Sequence, residues 1–173
     1  MGSEMCIRDR IRATRPMICG GDTPEHPFPV YLRGDVSRGF GRGSKELGCP
    51  TANLPTGVQS AEALEALERT GVYYGYAQVP EVDRGVYPMV MSVGWNPFYK
   101  NTERTIEVHV MHPYPNDFYG SEMRAVALGY IRPELNYVSR EALIADIETD
   151  KQVGLNSLRR AAYEAYRQNP FFS

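Results

Sequence analysis

The sequence has few cysteines, no long apolar run and no excess of charge of either sign. Its three cysteines form no C-x-x-C pair, which argues against a disulfide framework or a zinc knuckle and favours a reducing, cytoplasmic location. No apolar run approaches the roughly 18 residues of a membrane-spanning helix. The 19 basic residues are balanced by 21 acidic ones, whereas nucleic-acid binding needs a basic face. We therefore expect neither a membrane nor a nucleic-acid partner. The charge balance is still compatible with a local basic pocket for a small phosphate ligand.

Glycine and proline are plentiful, with 16 and 13 residues in a chain of 173, and this favours a turn-rich β fold over a helix bundle. Residues 1–27 show no apolar periodicity and are expected to form a flexible tail, so that the domain spans 28–169. Strand-like patterns follow at 28–36, 71–79, 87–94, 104–111 and 121–131. Several short strands separated by turns predict a small closed barrel or a sandwich.

Helix is expected in two places. Ser60 can cap a short helix that ends near Gly71, and Ser139 can cap a longer helix near the C-terminus. Gly154 lies within this second helix and is expected to bend it or to split it in two.

A glycine-rich segment, RGFGRGSKELGCPTANLP, runs from Arg38 to Pro55. Its alternating glycines can expose backbone N–H groups toward an anion, and Lys45 can add a positive charge near a phosphate. The spacing matches neither a P-loop nor the G-x-G-x-x-G fingerprint. From the residues alone, the segment is either a phosphate-binding loop or a corner or bulge of a barrel.

Within this segment, Thr51 and Asn53 are candidate metal ligands. Pro50 and Pro55 favour extended backbone before them, and in a strand Thr51 and Asn53 point to the same face. A hydroxyl and an amide oxygen could complete an octahedral Mg²⁺ site together with phosphate oxygens and waters. The alternative is that both side chains only satisfy backbone groups of a turn.

The strand pattern at 104–111 separates an apolar face from a polar one. Ile106, Val108 and Val110 share the first face, while Glu107 and His109 share the second. Glu107 becomes a candidate general base if this face lies at the mouth of a barrel, and is otherwise a solvated residue. The spacing of three places His109 and His112 on opposite faces of a strand, so a zinc pair is not expected.

Taken together, several segments resemble riboflavin kinases. RGFGRGSKELGCPTANLP, GVYYGYAQV, SVGWNPFYKNTERTIEVHVMH and DFYGSEMRAVALGYIRPELNY occur in this order before the C-terminal helix, and the resemblance covers about residues 28–152. It implies a six-stranded antiparallel Greek-key β-barrel with a C-terminal α-helix. It also implies transfer of the γ-phosphoryl group of ATP to the 5′-hydroxyl of riboflavin, giving FMN and ADP. Mg²⁺ is the metal implied, with Zn²⁺ as an alternative.

The resemblance also implies residue roles. Glu107 matches the catalytic carboxylate, while Thr51 and Asn53 match the pair that holds the metal with the ATP phosphates. The positions implied to bind ATP are Gly39, Lys45, Val110, His112 and Tyr119. The positions implied to bind flavin are Arg132, Leu135 and Tyr137. We expect a monomer, and the competing hypothesis is a non-catalytic flavin- or nucleotide-binding β-barrel.

Overall fold

The computed structural model describes residues 15–37, 51–95, 104–134 and 139–173. These residues form six strands: β1 (Val30–Asp35), β2 (Thr51–Leu54), β3 (Gly71–Val79), β4 (Asp83–Trp95), β5 (Arg104–Val110) and β6 (Glu122–Arg132). They also form helices α1 (Ala61–Ala66), α2 (Arg140–Leu158) and α3 (Ala161–Glu164), followed by 3-10 turns at Ala165–Gln168 and Pro170–Phe172. Among the described residues, no helix combines the length and the apolar character of a membrane-spanning segment.

The strands form one antiparallel sheet in the order β1-β6-β3-β4-β5-β2. β3, β4 and β5 follow one another as a meander, and β6 returns to lie beside β3, which is the Greek-key arrangement. The sheet curls until its edges meet, because Ser37, just after β1, donates to the Asn53 carbonyl at 3.0 Å and accepts from the Asn53 N–H at 3.2 Å. The predicted six-stranded Greek-key barrel with a C-terminal helix is confirmed.

Apolar alternation along the strands builds two cores on opposite faces of the sheet. The barrel interior takes the first face of β5, so that Ile106, Val108 and Val110 pack there with residues such as Met91. The outer face carries a second apolar cluster that includes Tyr74, Tyr76, Val90, Val126 and Leu128, and helix α2 contributes Val153 and Leu158 to it. Each fully buried apolar side chain contributes about 1.5–3 kcal/mol, so both faces of the sheet stabilise the fold.

Helix α2 lies close to the outer face because Gly154 has no side chain. A Cβ at Gly154 would lie 3.2 Å from Val90 Cγ1 and 3.4 Å from Tyr74 Cβ. The helix runs through Gly154 without a split and ends at Leu158, so of the two expectations, a bend or a split, the split is wrong. The predicted caps are confirmed, since Ser60 Oγ accepts from the Ala63 N–H and Ser139 Oγ accepts from the Ala142 N–H.

Residues 15–27 fall in the segment expected to be a flexible tail, but the structure packs them against the outer face. Cys19 is buried, and its carbonyl accepts hydrogen bonds from Tyr74 Oη and Arg160 Nη2, both at 2.6 Å. Tyr163 Oη donates to the Gly21 carbonyl at 2.8 Å. These donors need acceptors where water is excluded, and the N-terminal backbone supplies them. Apolar periodicity does not report this kind of contact.

Candidate active site

A row of polar side chains crosses strands β2 and β5 on the outer face of the barrel. In the register of this pair Thr51 lies opposite His109, and Asn53 lies opposite Glu107. Directly opposite residues of antiparallel strands share a face, so the four side chains lie on the same side of the sheet. Their neighbours along the strands point into the interior. Glu107 therefore lies on the outer surface of the barrel and not at its mouth. The strand pattern made Glu107 a candidate base only at a barrel mouth, and that expected location is wrong.

The row is more buried at one end than at the other. Thr51 and Asn53 are each 8% exposed and His109 is 2% exposed, whereas the Glu107 side chain retains 26% of its exposure. Thr51 Oγ1 lies 3.2 Å from His109 Nδ1, and His109 Nε2 lies 3.4 Å from Glu107 Oε1. The carboxylate is thus the solvent-facing end of a connected polar row.

His109 and Ser92 are not among the predicted site residues: the sequence placed His109 on the face of Glu107 and argued against a zinc pair with His112, and it singled out nothing at Ser92. Ser92 of β4 lies opposite Glu107 on the side away from Asn53. The alternation of β5 places His109 on the face of Glu107, and this was the sequence signal for its place in the polar row. No comparable signal marks Ser92, because the register between β4 and β5 is a property of the folded sheet.

The oxygen donors of this row fit a hard divalent cation. Thr51 supplies a hydroxyl and Asn53 an amide carbonyl on one face, and Mg²⁺ is usually held by few protein oxygens together with substrate phosphates and waters. Across the described ranges, no three His, Cys, Asp or Glu side chains are grouped so that they could hold a metal ion. The described residues therefore offer Zn²⁺ no such cluster.

Three of the predicted ATP-binding residues lie near the ends of β5 and β6. The side chain of Val110 is fully buried in the barrel interior, so a ligand outside the barrel could contact this position only through its backbone. Tyr119 is 37% exposed, and the adjacent Gly120 N–H donates to the Val36 carbonyl at 2.8 Å. Val36 almost directly precedes segment 38–50. Gly39 and Lys45 belong to that segment and lie outside the described residues.

His112 belongs to an aromatic cluster at this end of the barrel. Its ring stacks on Tyr87 with the centroids 3.6 Å apart and the planes within 10°, and Tyr114 packs edge-on against it. His112 Nε2 lies 3.5 Å from Asp83 Oδ2. The hydrogen bonds that Asp83 accepts from the Tyr87 hydroxyl and the Gly85 N–H lower the pKa of its carboxyl. Burial raises the pKa of the Tyr114 phenol. The cluster is thus an ordered aromatic surface with one ionised carboxylate beside it.

Arg132, predicted to contact flavin, ends β6 in a buried ion pair with α2. Its Nε donates to Asp150 Oδ1 at 2.9 Å and its Nη2 donates to Asp150 Oδ2 at 2.8 Å. Arg15 contacts the same carboxylate. The structure therefore holds the Arg132 guanidinium against α2. Leu135 and Tyr137, the other predicted flavin residues, lie outside the described residues.

Comparison with known proteins decides the family. The family model for riboflavin kinase (Flavokinase) matches residues 26–158. The chain belongs to the riboflavin kinase family. A riboflavin kinase of Pyricularia oryzae is 49% identical over 163 residues, covering 86% of this chain and 81% of that protein. A riboflavin kinase of Aspergillus terreus is 45% identical, covering 88% of this chain and 86% of that protein.

A solved structure supports the same family. The crystal structure of riboflavin kinase from Trypanosoma brucei matches with a TM-score of 0.63 and 29% identity, and covers 83% of this chain and 88% of that one. The prediction of the riboflavin kinase family from the motifs is thus confirmed, and nothing in the comparisons supports the alternative of a non-catalytic barrel.

Proposed function

We propose that the chain catalyses transfer of the γ-phosphoryl group of ATP to the 5′-hydroxyl of riboflavin, giving FMN and ADP. Family membership supports the activity. The proposed reaction centre rests on one observation, the register of β2 with β5. It pairs Asn53 with Glu107 and Thr51 with His109, and so sets one carboxylate beside two neutral oxygen donors. An alcohol acceptor and a phosphate donor need these two kinds of group side by side.

Glu107 is the group that would act on the alcohol. Its carboxylate is the solvent-facing end of the polar row, so it can accept a hydrogen bond from the 5′-hydroxyl and hold that oxygen in line with the phosphate. Phosphoryl transfer passes through a loose transition state in most analyses, so positioning matters more than early deprotonation. Glu107 therefore orients the hydroxyl and accepts its proton late in the transfer.

Thr51 and Asn53 would hold the divalent cation through their hydroxyl and amide oxygens, and we propose Mg²⁺ for this place. A bound Mg²⁺ neutralises charge on the phosphates of ATP. Both ligands are neutral, which leaves Glu107 as the carboxylate of the row and keeps it available to the acceptor alcohol.

The two substrates would approach this row from different sides. We propose that ATP binds where segment 38–50 joins the barrel, with Gly39 and Lys45 at the phosphates, and with Tyr119, His112 and the backbone of Val110 toward the base. We propose that Arg132, Leu135 and Tyr137 bind the flavin at the end of β6 next to α2. The row lies within a single chain, and we propose a cytoplasmic monomer.

The test of this function is formation of FMN by the purified protein, followed by chromatography with mass detection. Wild-type protein is expected to form FMN only when ATP, riboflavin and Mg²⁺ are all present. Binding of both substrates without FMN would favour a non-catalytic barrel.

The test of the reaction centre is Glu107→Gln. This variant is expected to lose about 10²–10⁴-fold in kcat, or about 3–5 kcal/mol, because the amide cannot accept the proton. Its ATP affinity should change by no more than about twofold, since the cation ligands are intact. Glu62→Gln, at an exposed position of α1, is the matched control and should behave as wild type. Near-wild-type turnover in Glu107→Gln would remove Glu107 from this role.

A further inference from the structure

We propose that His109 is a positioning residue that orients both the Thr51 hydroxyl and the Glu107 carboxylate. The proposal rests on the function proposed above and names a part of that site which the sequence did not reveal. His109 is 2% exposed, and it lies between the candidate cation ligand and the candidate proton acceptor. Its Nδ1 is 3.2 Å from Thr51 Oγ1, and its Nε2 is 3.4 Å from Glu107 Oε1.

The chemistry of the three groups selects one tautomer of the His109 ring. An ionised carboxylate can only accept hydrogen bonds, so the ring nitrogen that faces Glu107 should carry the hydrogen. In a neutral imidazole the other nitrogen is then an acceptor. Nδ1 therefore accepts a hydrogen bond from the Thr51 hydroxyl, whose hydrogen points toward the His109 ring.

This arrangement affects how Thr51 can bind a cation. A hydroxyl whose proton is donated to Nδ1 turns its lone pairs away from the ring, and lone pairs are what a cation binds. A Thr51 hydroxyl free to rotate would spend part of its time with the proton toward the cation. The same ring limits the positions open to the Glu107 carboxylate. One buried side chain thus orients a ligand of the cation and the acceptor of the substrate proton.

The competing interpretation is that His109 only fills space in the packing of the outer face. On the neighbouring strand β4, Val90 lies opposite His109 and next to Gly154 of α2. An apolar surface therefore begins directly beside the ring. Two amide substitutions separate the interpretations. The amide nitrogen of glutamine can replace Nε2 as a donor to Glu107, whereas the amide oxygen of asparagine can replace Nδ1 as an acceptor for Thr51.

His109→Gln should keep the contact to Glu107 and lose the one to Thr51. We expect Mn²⁺ affinity in the presence of ADP, measured by electron paramagnetic resonance without turnover, to fall about tenfold, the size of one hydrogen bond. Its kcat at saturating metal should stay within about threefold of wild type. His109→Asn should show the reverse, with kcat about tenfold lower and Mn²⁺ affinity within about twofold. His26→Gln, at an exposed histidine, controls for the substitution itself.

The tautomer can be read directly from ¹⁵N spectra of histidine-labelled protein. The chain has three histidines, so the signals of His109 are identified by their absence in His109→Gln. We expect Nε2 protonated and Nδ1 unprotonated. The opposite tautomer would overturn the proposal, as would equal losses of metal affinity and kcat in both amide variants with matching losses of melting temperature. The tautomer and the Mn²⁺ affinity are measured without turnover, so a failure of the kinase function, seen as no FMN from wild type, is distinguishable from a failure of this inference.

Discussion

Removing the charge of Asp150 is expected to destabilise the protein by about 3–5 kcal/mol, because this carboxylate belongs to a buried ion pair. The side chain of Asp150 is 1% exposed and that of Arg132 is 5% exposed. Three hydrogen bonds of 2.8 to 3.3 Å join the two groups, and Arg15 contacts the same carboxylate. Asp150→Asn keeps the volume of the side chain and removes the charge that both guanidinium groups contact. The cost therefore reports electrostatics with little contribution from a cavity.

Helix α2 also provides the control. Glu148 and Lys151 form an ion pair of 2.8 Å in which Glu148 is 56% exposed. Exposed pairs of this spacing contribute about 0.3–0.5 kcal/mol, so Glu148→Gln should change the free energy of unfolding by no more than that. Urea unfolding followed by circular dichroism measures both variants.

The two variants should also differ in activity. We expect Asp150→Asn to raise the KM for riboflavin more than that for ATP, because Arg132 would no longer be held at the proposed flavin site. The reasoning would be refuted if Asp150→Asn cost less than about 1 kcal/mol, or if Glu148→Gln cost as much.

Three further outcomes follow from the geometry. Thr51→Ala should weaken binding of Mg-ATP more than binding of riboflavin in separate calorimetric titrations, and equal losses would indicate general misfolding. Gly154→Leu should push α2 away from Val90 and cost about 1–3 kcal/mol in urea unfolding, and an unchanged midpoint would contradict the close approach. Burial raises the pKa values of Tyr73 and Tyr76 to about 12, so their stabilisation is complete below the unfolded pKa of about 10 and is lost as pH rises through the folded value. Each of the two tyrosines should lower the free energy of unfolding by about 1.4 kcal/mol per pH unit between those pKa values. Urea midpoints that stay constant from about pH 10 to 12 would contradict this.

Local patterns determined much of the fold. The strand at 71–79 and the caps Ser60 and Ser139 were read from periodicity and residue type, because these depend on neighbours a few residues away. The placement of Thr51 and Asn53 on one face of their strand follows from the same short-range rule. The family resemblance added the order of the motifs, and with it the expected chemistry.

Which face of a strand lies inside a barrel is not a local property. The alternation of β5 separates Glu107 from Ile106, but only the curl of the sheet decides that Ile106 packs inside and Glu107 lies outside. Glu107 meets Asn53 because β2 pairs with β5 across more than fifty residues of chain. That pairing also brings His109 to Thr51.

The contacts of the outer face have the same origin. Asp150 pairs with Arg132 because α2 lies against the end of β6. The N-terminal backbone packs on the same face because buried hydroxyl and guanidinium groups there need hydrogen-bond acceptors. Residue types, local spacing and the family motifs indicated most of the side chains that could do the chemistry. Which of these side chains meet is a property of the folded protein, because burial, strand register and hydrogen-bond satisfaction depend on segments far apart in the chain.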